Sequence, residues 1–358
     1  MAFTLAILGA GGWGWNWTER ALANPDVDVL AFADANPHVL TRLAERGVMR
    51  NRLFSSAEAA MAACLTDAVT VSLPNPARVP LLHRALEEAR HILVDKPLVH
   101  TAGAASRLLA EAALREGVFM VAQNYRFCEV TRLAKQAIQS GATGPVGGMH
   151  VHFLRELRHS PPHYHLTLPG AIPLGFEMCV HHFDMMRFLL GADPETVTAQ
   201  GWRSPWSPGI GYDALDVHLT FPGGVEVAYD ATWGATHVST DWPGHWEIIG
   251  QEQTLSFGHE GRAWRVYDVE GREVAARPGL GTDEDTRNSM DRVWTEFQNA
   301  MARVEAGEPA PGLGFCPIED NIHTLGICLA VEESIETRSP VDFGPFLRSK
   351  VIAARDVG

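Results

Sequence analysis

Three residues in the middle of the chain have the spacing of a proton-transfer site. Glu177, His181 and Asp184 stand at i, i+4 and i+7 of a stretch with helical period, which predicts that they share one helical face. A histidine with a carboxylate one turn away can act as a general base that the acid orients. The same residues would also suit a salt bridge at a helix start. A metal site is a poorer interpretation, because His182 lies about 100° around the helix from His181, and we predict no metal.

The lysine at position 96 is the second candidate for chemistry. Lysine is rare in this chain and occurs only at positions 96, 135 and 350. Lys96 follows the apolar run His91–Asp95, which predicts a buried strand, and ligands in open α/β sheets bind beyond the carboxyl ends of the strands. A cation placed there stabilises the alkoxide that develops on a reacting oxygen. We therefore predict a functional lysine; the alternative is a surface lysine paired with a carboxylate.

A short apolar run followed at once by glycines opens the chain. The six residues before Gly9 predict a buried parallel strand, and the glycines after it match G-x-G-x-x-G. Gly9 permits the tight turn, Gly11 lets the backbone approach a pyrophosphate, and Gly14 lets the next helix pack on the strand. A helix from about Gly12 would point its amides at that anion, with Trp13 beside it.

The end of the next apolar run strengthens the nucleotide hypothesis. Val27–Asp34 ends in an acid 20 positions after Gly14, where a carboxylate can accept the two ribose hydroxyls of a nucleotide. The charge of such an acid repels a 2′-phosphate, so we predict NAD as the cofactor, with NADP as the alternative. Two other interpretations of the glycines are a turn with no ligand and a methyltransferase loop of similar shape.

Strands and helices alternate through residues 1–124, which we predict to be one domain. Strands are expected at 3–9, 27–34, 68–73, 91–95 and 118–122, and helices at about 12–23, 38–46, 55–63, 77–89 and 103–116. This alternation predicts an α/β fold with a doubly wound parallel sheet of the Rossmann type. Ligand-binding residues are expected at the carboxyl ends of the strands, namely Gly9, Asp34, Pro74, Asp95 and Gln123.

The pattern changes after residue 124, and we predict a second domain at 125–358. Helices are expected at 130–139, 177–190, 285–306 and 318–337, and extended segments at 146–157, 195–202, 213–221, 225–235, 244–250, 253–257, 263–269 and 272–276. Pro222-Gly223-Gly224 marks a hairpin, and apolar residues alternate with polar ones before it. These features predict an α+β domain with a large, open, mostly antiparallel sheet.

Composition limits the kinds of partner. The formal net charge of −14 opposes a nucleic-acid surface, which needs a basic stripe. Five cysteines without C-x-x-C spacing argue against a disulfide framework and favour a reducing cytoplasm. No apolar run approaches 18 residues, so we expect no membrane span. Trp233, Trp242 and Trp246 cluster on the predicted open sheet, and we expect residues 213–257 to form the interface of a homodimer or homotetramer.

With these motifs in place, the chain resembles the Gfo/Idh/MocA oxidoreductases, the family of glucose–fructose oxidoreductase and inositol dehydrogenase, over nearly its whole length. The segments that carry the resemblance are 6–14 (AILGAGGWG), 73–75 (LPN), 94–97 (VDKP), 124–127 (NYRF), 177–184 (EMCVHHFD) and 319–320 (ED). Three positions depart from the family pattern. Asp95 replaces a glutamate, Arg78 replaces a histidine, and Glu177 replaces the aspartate of the catalytic site.

The resemblance implies a dehydrogenase that moves a hydride between the nicotinamide of NAD(P) and a hydroxyl of a sugar, inositol or related polyol. It implies His181 as the base, Glu177 as its acid partner, and Lys96 in contact with substrate and cofactor. The expected cofactor contacts are Gly9, Gly11, Gly12, Trp13, Gly14, Asp34, Pro74, Asn75, Asp95, Lys96 and Gln123. The expected substrate contacts are Lys96, Arg126, Arg155, His163, His165, Glu177 and His181. The alternatives are a non-catalytic dinucleotide-binding sensor or regulator of the same fold and an NADPH-dependent carbonyl reductase.

Overall fold

The protein is described by a computed structural model over residues 2–157, 173–207, 209–236, 239–258, 264–278, 280–310, 312 and 314–353. Contacts between residues divide the chain into two units. The first unit comprises Met1–Ala122 and Met290–Ile322, and the second comprises Gln123–Ser289 and His323–Ala354.

A six-stranded parallel sheet forms the centre of the first unit. Its strands are β1 (Phe3–Leu8), β2 (Val27–Ala33), β3 (Leu53–Phe54), β4 (Ala68–Val71), β5 (His91–Asp95) and β6 (Phe119–Ala122), in the order β3-β2-β1-β4-β5-β6. Every neighbouring pair is parallel. Strands β4, β5 and β6 are buried along their whole length, which explains why they are nearly continuous apolar runs in the sequence. The predicted doubly wound parallel sheet is confirmed.

Five helices connect these strands. They are α1 (Trp15–Ala23), α2 (Pro37–Glu45), α3 (Ala57–Ala63), α4 (Asn75–Glu88) and α5 (Ala102–Ala112). Asn36, Ser56 and Thr101 precede α2, α3 and α5, and each side chain accepts a backbone N–H of the first helical turn. Helix α1 begins later than predicted, because a 3-10 turn, Gly12–Gly14, comes first.

A segment from the C-terminal part of the chain completes the first unit. The Trp294 ring stacks on the Trp17 ring with centroids 6.3 Å apart, and the Cys316 carbonyl accepts the Val121 N–H at 2.9 Å. The predicted division at residue 124 assigns this segment to the second domain. The two descriptions differ there because contacts between residues so distant in the chain leave no local pattern in the sequence.

A nine-stranded sheet forms the centre of the second unit. Its strands are β7 (Val146–Leu154), β8 (Thr196–Trp202), β9 (Ala214–Phe221), β10 (Val225–Thr232), β11 (His245–Gly250), β12 (Gln253–Phe257), β13 (Trp264–Asp268), β14 (Glu273–Arg277) and β15 (Val341–Asp342). Their order is β14-β13-β12-β11-β7-β10-β9-β8-β15, and of the described pairs only β7 and β10 run parallel. The predicted hairpin joins β9 to β10, and the mostly antiparallel sheet is confirmed.

The remaining helices are α6 (Glu129–Gln139), α7 (Val180–Leu190), α8 (Asp283–Glu305), α9 (Ile318–Thr337) and α10 (Phe343–Phe346). Helices α8 and α9 each contribute residues to both units, which is how the chain passes from one unit to the other and back. Within the described ranges, no helix combines the length and the apolar character needed to cross a membrane.

One face of the large sheet is packed and the other is polar. Burial alternates along β9, where Asp216 and His218 are exposed between buried apolar neighbours. Trp233 and Trp246 are only 5% and 0% exposed, so they belong to the core of the unit. The expectation that these two tryptophans form a subunit interface is wrong, because strand alternation puts Trp246 on the packed face with Ile248.

Candidate active site

The turn after β1 brings the glycine motif and Asp34 together. The N–H groups of Gly11 and Asn36 donate to the two carboxylate oxygens of Asp34, each at 2.8 Å. The preceding N–H groups of Gly9 and Ala10 donate to the last carbonyl of β2. Asp34 remains partly exposed, and a carboxylate has about four acceptor sites, so it keeps acceptors for the hydroxyls of a ligand.

The glycines of this turn have no Cβ atoms, and at Gly11 and Gly14 there is no room for one. A Cβ atom on Gly14 would lie 1.8 Å from the carbonyl oxygen of Gly9, and one on Gly11 would lie 2.5 Å from a methyl of Val39. Gly9 and Gly12 have φ angles of +88° and +52°, a region that other residues rarely adopt. The first amides of a helix have no intrahelical acceptor. The turn Gly12–Gly14 therefore offers the kind of backbone surface that holds a pyrophosphate.

The other predicted cofactor contacts fall into two groups. Trp13 is half exposed on the turn, and Pro74 immediately precedes α4. The side-chain amides of Asn75 and Gln123 are buried, and among the described residues the Asn75 nitrogen and both amide atoms of Gln123 have no hydrogen-bond partner. Because an unpaired buried amide costs free energy, these positions suit a ligand that supplies donors and acceptors. Within the first unit, Asn75 and the glycine turn fit a nicotinamide dinucleotide.

Asp95 is the predicted cofactor contact directly before Lys96, and that contact stays a prediction. Its carboxylate is 3% exposed and accepts the indole N–H of Trp17 at 2.9 Å, inside the first unit. Lys96 follows directly and is partly exposed. The Asp95 side chain thus connects the end of β5, next to Lys96, to α1.

His181 is held at the start of α7. It follows a π-helical turn, Gly175–Cys179, and such turns occur frequently at functional sites. Only 4% of His181 is exposed, and its ring stacks on that of Tyr125 with centroids 4.2 Å apart and planes 12° from parallel. Glu177 belongs to the π turn, so its spacing to His181 is not that of the regular α-helix predicted. The stack fixes the plane of the imidazole, as a general base requires.

Tyr125 is a residue of this site that the sequence analysis did not single out. It is 4% exposed, and burial raises the pKa of its phenol well above the usual value near 10, with the charges of Cys128 and Asp283 adding to the shift. The phenol therefore stays neutral and presents its ring face to His181. Its position within the NYRF segment was the available signal, but nothing local predicts which side chain its ring meets.

Arg126 and Asp184 form a buried ion pair behind His181. The guanidinium Nε and Nη2 donate to the two carboxylate oxygens at 2.6 and 2.7 Å, and the hydroxyl of Thr324 donates to the same carboxylate at 2.9 Å. Both charged side chains are at most 5% exposed. These contacts give Arg126 a structural role, while its contact with a substrate stays a prediction.

Arg155 is another predicted substrate contact that lies within the described residues. Its Nη2 donates to both carboxylate oxygens of Asp283, at 2.9 and 3.0 Å, and its guanidinium lies 4.3 Å from the centre of the Trp242 ring. The positive charge is therefore already neutralised inside the unit. His163 and His165 lie outside the described residues.

The neighbouring His182 is a core residue. Its Nδ1 lies 2.8 Å from the Tyr229 hydroxyl and its Nε2 lies 3.2 Å from the Trp242 carbonyl. A neutral ring with Nε2–H donating and Nδ1 accepting satisfies both partners. In the described residues no group of three or more histidine, cysteine or acidic side chains is placed to hold a metal ion.

Burial of His182 predicts a loss of stability in acid. Burial lowers the pKa of its ring from 6.5 to about 4, and the hydrogen bond to Trp242 opposes this only in part. The unfolded chain takes up the proton below about pH 6.5, whereas the folded chain does so only near pH 4, so the free energy of unfolding falls as the pH drops through this window. The full loss is about 3 kcal/mol.

Urea unfolding between pH 7 and pH 4 measures this loss. His182→Phe should remove part of the pH dependence of the free energy of unfolding, whereas His38→Phe, at an exposed position of α2, should leave that dependence as in the wild type. If the free energy of unfolding of His182→Phe depends on pH as strongly as that of the wild type, His182 is not the source of the loss in acid.

Comparison with known proteins agrees with the fold and the nucleotide-binding turn. Residues 3–123 match the oxidoreductase family with an NAD-binding Rossmann fold, and residues 131–256 match the GFO/IDH/MocA C-terminal domain. The first unit thus contains an NAD-binding Rossmann domain. The chain belongs to the Gfo/Idh/MocA family of oxidoreductases.

Two curated relatives and one solved structure illustrate the similarity. The chain is 29% identical to an inositol 2-dehydrogenase of Rhizobium meliloti over 56% of its own length and 58% of the relative. It is 28% identical to a levoglucosan dehydrogenase of Pseudarthrobacter phenanthrenivorans over 79% of its length and 76% of the relative. A structure of levoglucosan dehydrogenase with NADH superposes with a TM-score of 0.80 at 21% identity, covering 96% of this chain and 99% of that one, which shows a shared fold.

Proposed function

We propose that this chain is an NAD-dependent dehydrogenase that oxidises a hydroxyl group of a sugar, an inositol or a related polyol. The observation that carries the proposal is the imidazole of His181, fixed on Tyr125 next to the π turn that bears Glu177. The similarity to inositol and levoglucosan dehydrogenases supports a polyhydroxylated substrate.

Each of three side chains has a separate task in this proposal. His181 takes the proton of the substrate hydroxyl, and Glu177 holds the imidazole in the orientation that accepts it. Lys96 stabilises the negative charge that develops on the same oxygen. Bound NAD supplies the acceptor for the hydride of the carbinol carbon. The neutralised Arg155 favours an uncharged polyol over a sugar acid, because its guanidinium is already bound by Asp283.

A panel of sugars and inositols, assayed with NAD by the absorbance of NADH, tests the proposal. Turnover of at least one uncharged polyol is expected. Tight binding of NAD without turnover of any member would favour the sensor or regulator. Reduction of the corresponding ketoses by NADPH, with no oxidation by NAD, would favour the carbonyl reductase.

The position of Asp34 predicts that NAD binds more tightly than NADP. Its carboxylate is fixed by the amides of Gly11 and Asn36, so it cannot turn away from a 2′-phosphate without breaking both hydrogen bonds. Repulsion between the two charges should weaken NADP binding on the order of tenfold or more. Titration of both cofactors by protein fluorescence measures the preference.

Asp34→Ala should narrow the difference in affinity between NAD and NADP. Asp26→Ala, which removes an exposed acid at the opposite end of β2, should leave that difference unchanged. Tighter binding of NADP than of NAD by the unaltered chain would refute the assignment.

We also propose that the chain forms a homodimer or homotetramer through the open face of the large sheet, in particular residues 213–257. That face carries both signs of charge, including a hydrogen-bonded pair between His152 and Asp230, so the contact should be polar and should weaken at high salt. Light scattering at micromolar concentration tests this, and a monomer mass near 39.1 kDa would contradict it.

The five free thiols support the proposed location in a reducing cytoplasm.

A further inference from the structure

Arg78 binds the main chain on both sides of Lys96. It lies in the first turns of α4 and is 4% exposed. Its Nε donates to the Leu73 carbonyl at 3.0 Å, and its Nη1 donates to the Asp95 carbonyl at 3.0 Å and also to the Pro97 carbonyl. One guanidinium therefore ties the segment after β4 to the two peptides that flank Lys96.

The carboxylate of Asp95 extends this arrangement to the helix that follows the glycine turn. It accepts the indole N–H of Trp17, a fully buried residue of α1, at 2.9 Å. Burial raises the pKa of this carboxyl, and the hydrogen bond from Trp17 and the charges of Arg78 and Lys96 oppose the shift. The carboxylate is thus bound to one neutral donor and feels the charges of two cations.

Two of the three residues that depart from the family pattern, Arg78 and Asp95, contact each other. Position 78 has arginine in place of histidine, and position 95 has aspartate in place of glutamate. A histidine has two ring nitrogens and cannot replace a guanidinium that donates to three carbonyls. The departures therefore occur together in one buried network rather than at unrelated sites.

We infer that Arg78 and Asp95 act as one positioning unit for Lys96, with Arg78 fixing the main chain before and after the lysine and Asp95 anchoring that main chain to Trp17. Neither residue needs to touch the substrate or the cofactor. The inference rests on the proposed function only in giving Lys96 a task at the reacting oxygen. The position and charge environment of Lys96 can be measured without any substrate.

The small number of lysines makes this measurement direct. Reductive methylation with 13C-formaldehyde labels three lysines and the amino terminus, and Lys96→Arg identifies the signal of Lys96 in the 1H–13C spectrum. The variants are Arg78→His, Asp95→Glu and the two combined, with Arg84→His as the control on the partly exposed side of the same helix. Unchanged signals of Lys135 and Lys350 show that the second unit is retained, and the circular dichroism spectrum of the whole chain shows whether the first unit is also folded.

Arg78→His should raise the pKa of Lys96 by about one unit at a pH where the new histidine is neutral, because a nearby cation is lost. It should also weaken NAD binding, measured by calorimetry, by about tenfold. In the double variant, the changes in the pKa of Lys96 and in NAD affinity should be smaller than the sums of the changes in the two single variants. Arg84→His should change neither the pKa of Lys96 nor the affinity for NAD.

An unchanged Lys96 signal in a folded Arg78→His variant, or strictly additive single changes, would overturn the inference. If Arg78→His does not fold, Trp17→Phe removes the indole N–H that Asp95 accepts, together with part of a buried ring, and an unchanged Lys96 signal there has the same meaning. These readouts require no turnover, so a chain that oxidises no polyol can still confirm or overturn the role of Arg78 and Asp95.

Discussion

Replacing His181 by alanine should lower the turnover of the substrate found by the panel by about 10²–10⁴-fold, the usual contribution of a general base. The affinity for NAD should stay near that of the wild type, because the glycine turn and Asp34 are unaltered. Steady-state kinetics and fluorescence titration measure the two quantities. His150→Ala, at an exposed position of the large sheet, is the matched control and should leave both unchanged.

Two further variants sharpen this result. Glu177→Asp restores the family residue; little loss would mean that the longer acid is a tolerated variant, and a large loss would mean that the site is fitted to glutamate. Full oxidation activity in His181→Ala would overturn the assignment of the base. His163 and His165 would then be the first candidates, in the segment outside the described residues.

The sheet of the first unit was predictable because its strands are buried on both faces. Such strands need apolar residues at nearly every position, and β4 and β5 show this in the sequence. Strand β3 has only two residues, Leu53–Phe54, which is too short for any periodic signal. The polar face of the large sheet was predictable from alternation, but the burial of Trp246 depends on which face packs, and composition does not determine that.

The residue types of the candidate site were predictable, and their partners were not. His181, Glu177 and Lys96 stood out by spacing or by rarity. The ring that stacks on His181 comes from Tyr125, 56 positions earlier, and the pair of Arg126 with Asp184 joins residues 58 positions apart. Local periodicity reports the face on which a residue lies, whereas contacts of this kind depend on how distant segments pack.

Replacing Arg126 by leucine should cause the largest loss of stability, about 3–5 kcal/mol in the free energy of unfolding, which is the usual cost of removing one partner of a buried ion pair. Asp184 would keep the Thr324 hydroxyl as a donor but would lose both guanidinium hydrogen bonds at a site that is 1% exposed. Urea unfolding measures the loss. Arg84→Leu, which breaks a partly exposed pair with Glu88, is the control and should cost about 1 kcal/mol or less.

The double variant Arg126→Leu with Asp184→Leu separates the pair from the packing around it. Replacing both charges by apolar groups removes the uncompensated carboxylate, so the double variant should be more stable than Arg126→Leu alone. A double variant as unstable as the single one would mean that the cost comes from lost packing, for example of the guanidinium 5.5 Å from the centre of the Phe188 ring. Wild-type stability in Arg126→Leu would show that the ion pair does not support the helix that carries His181.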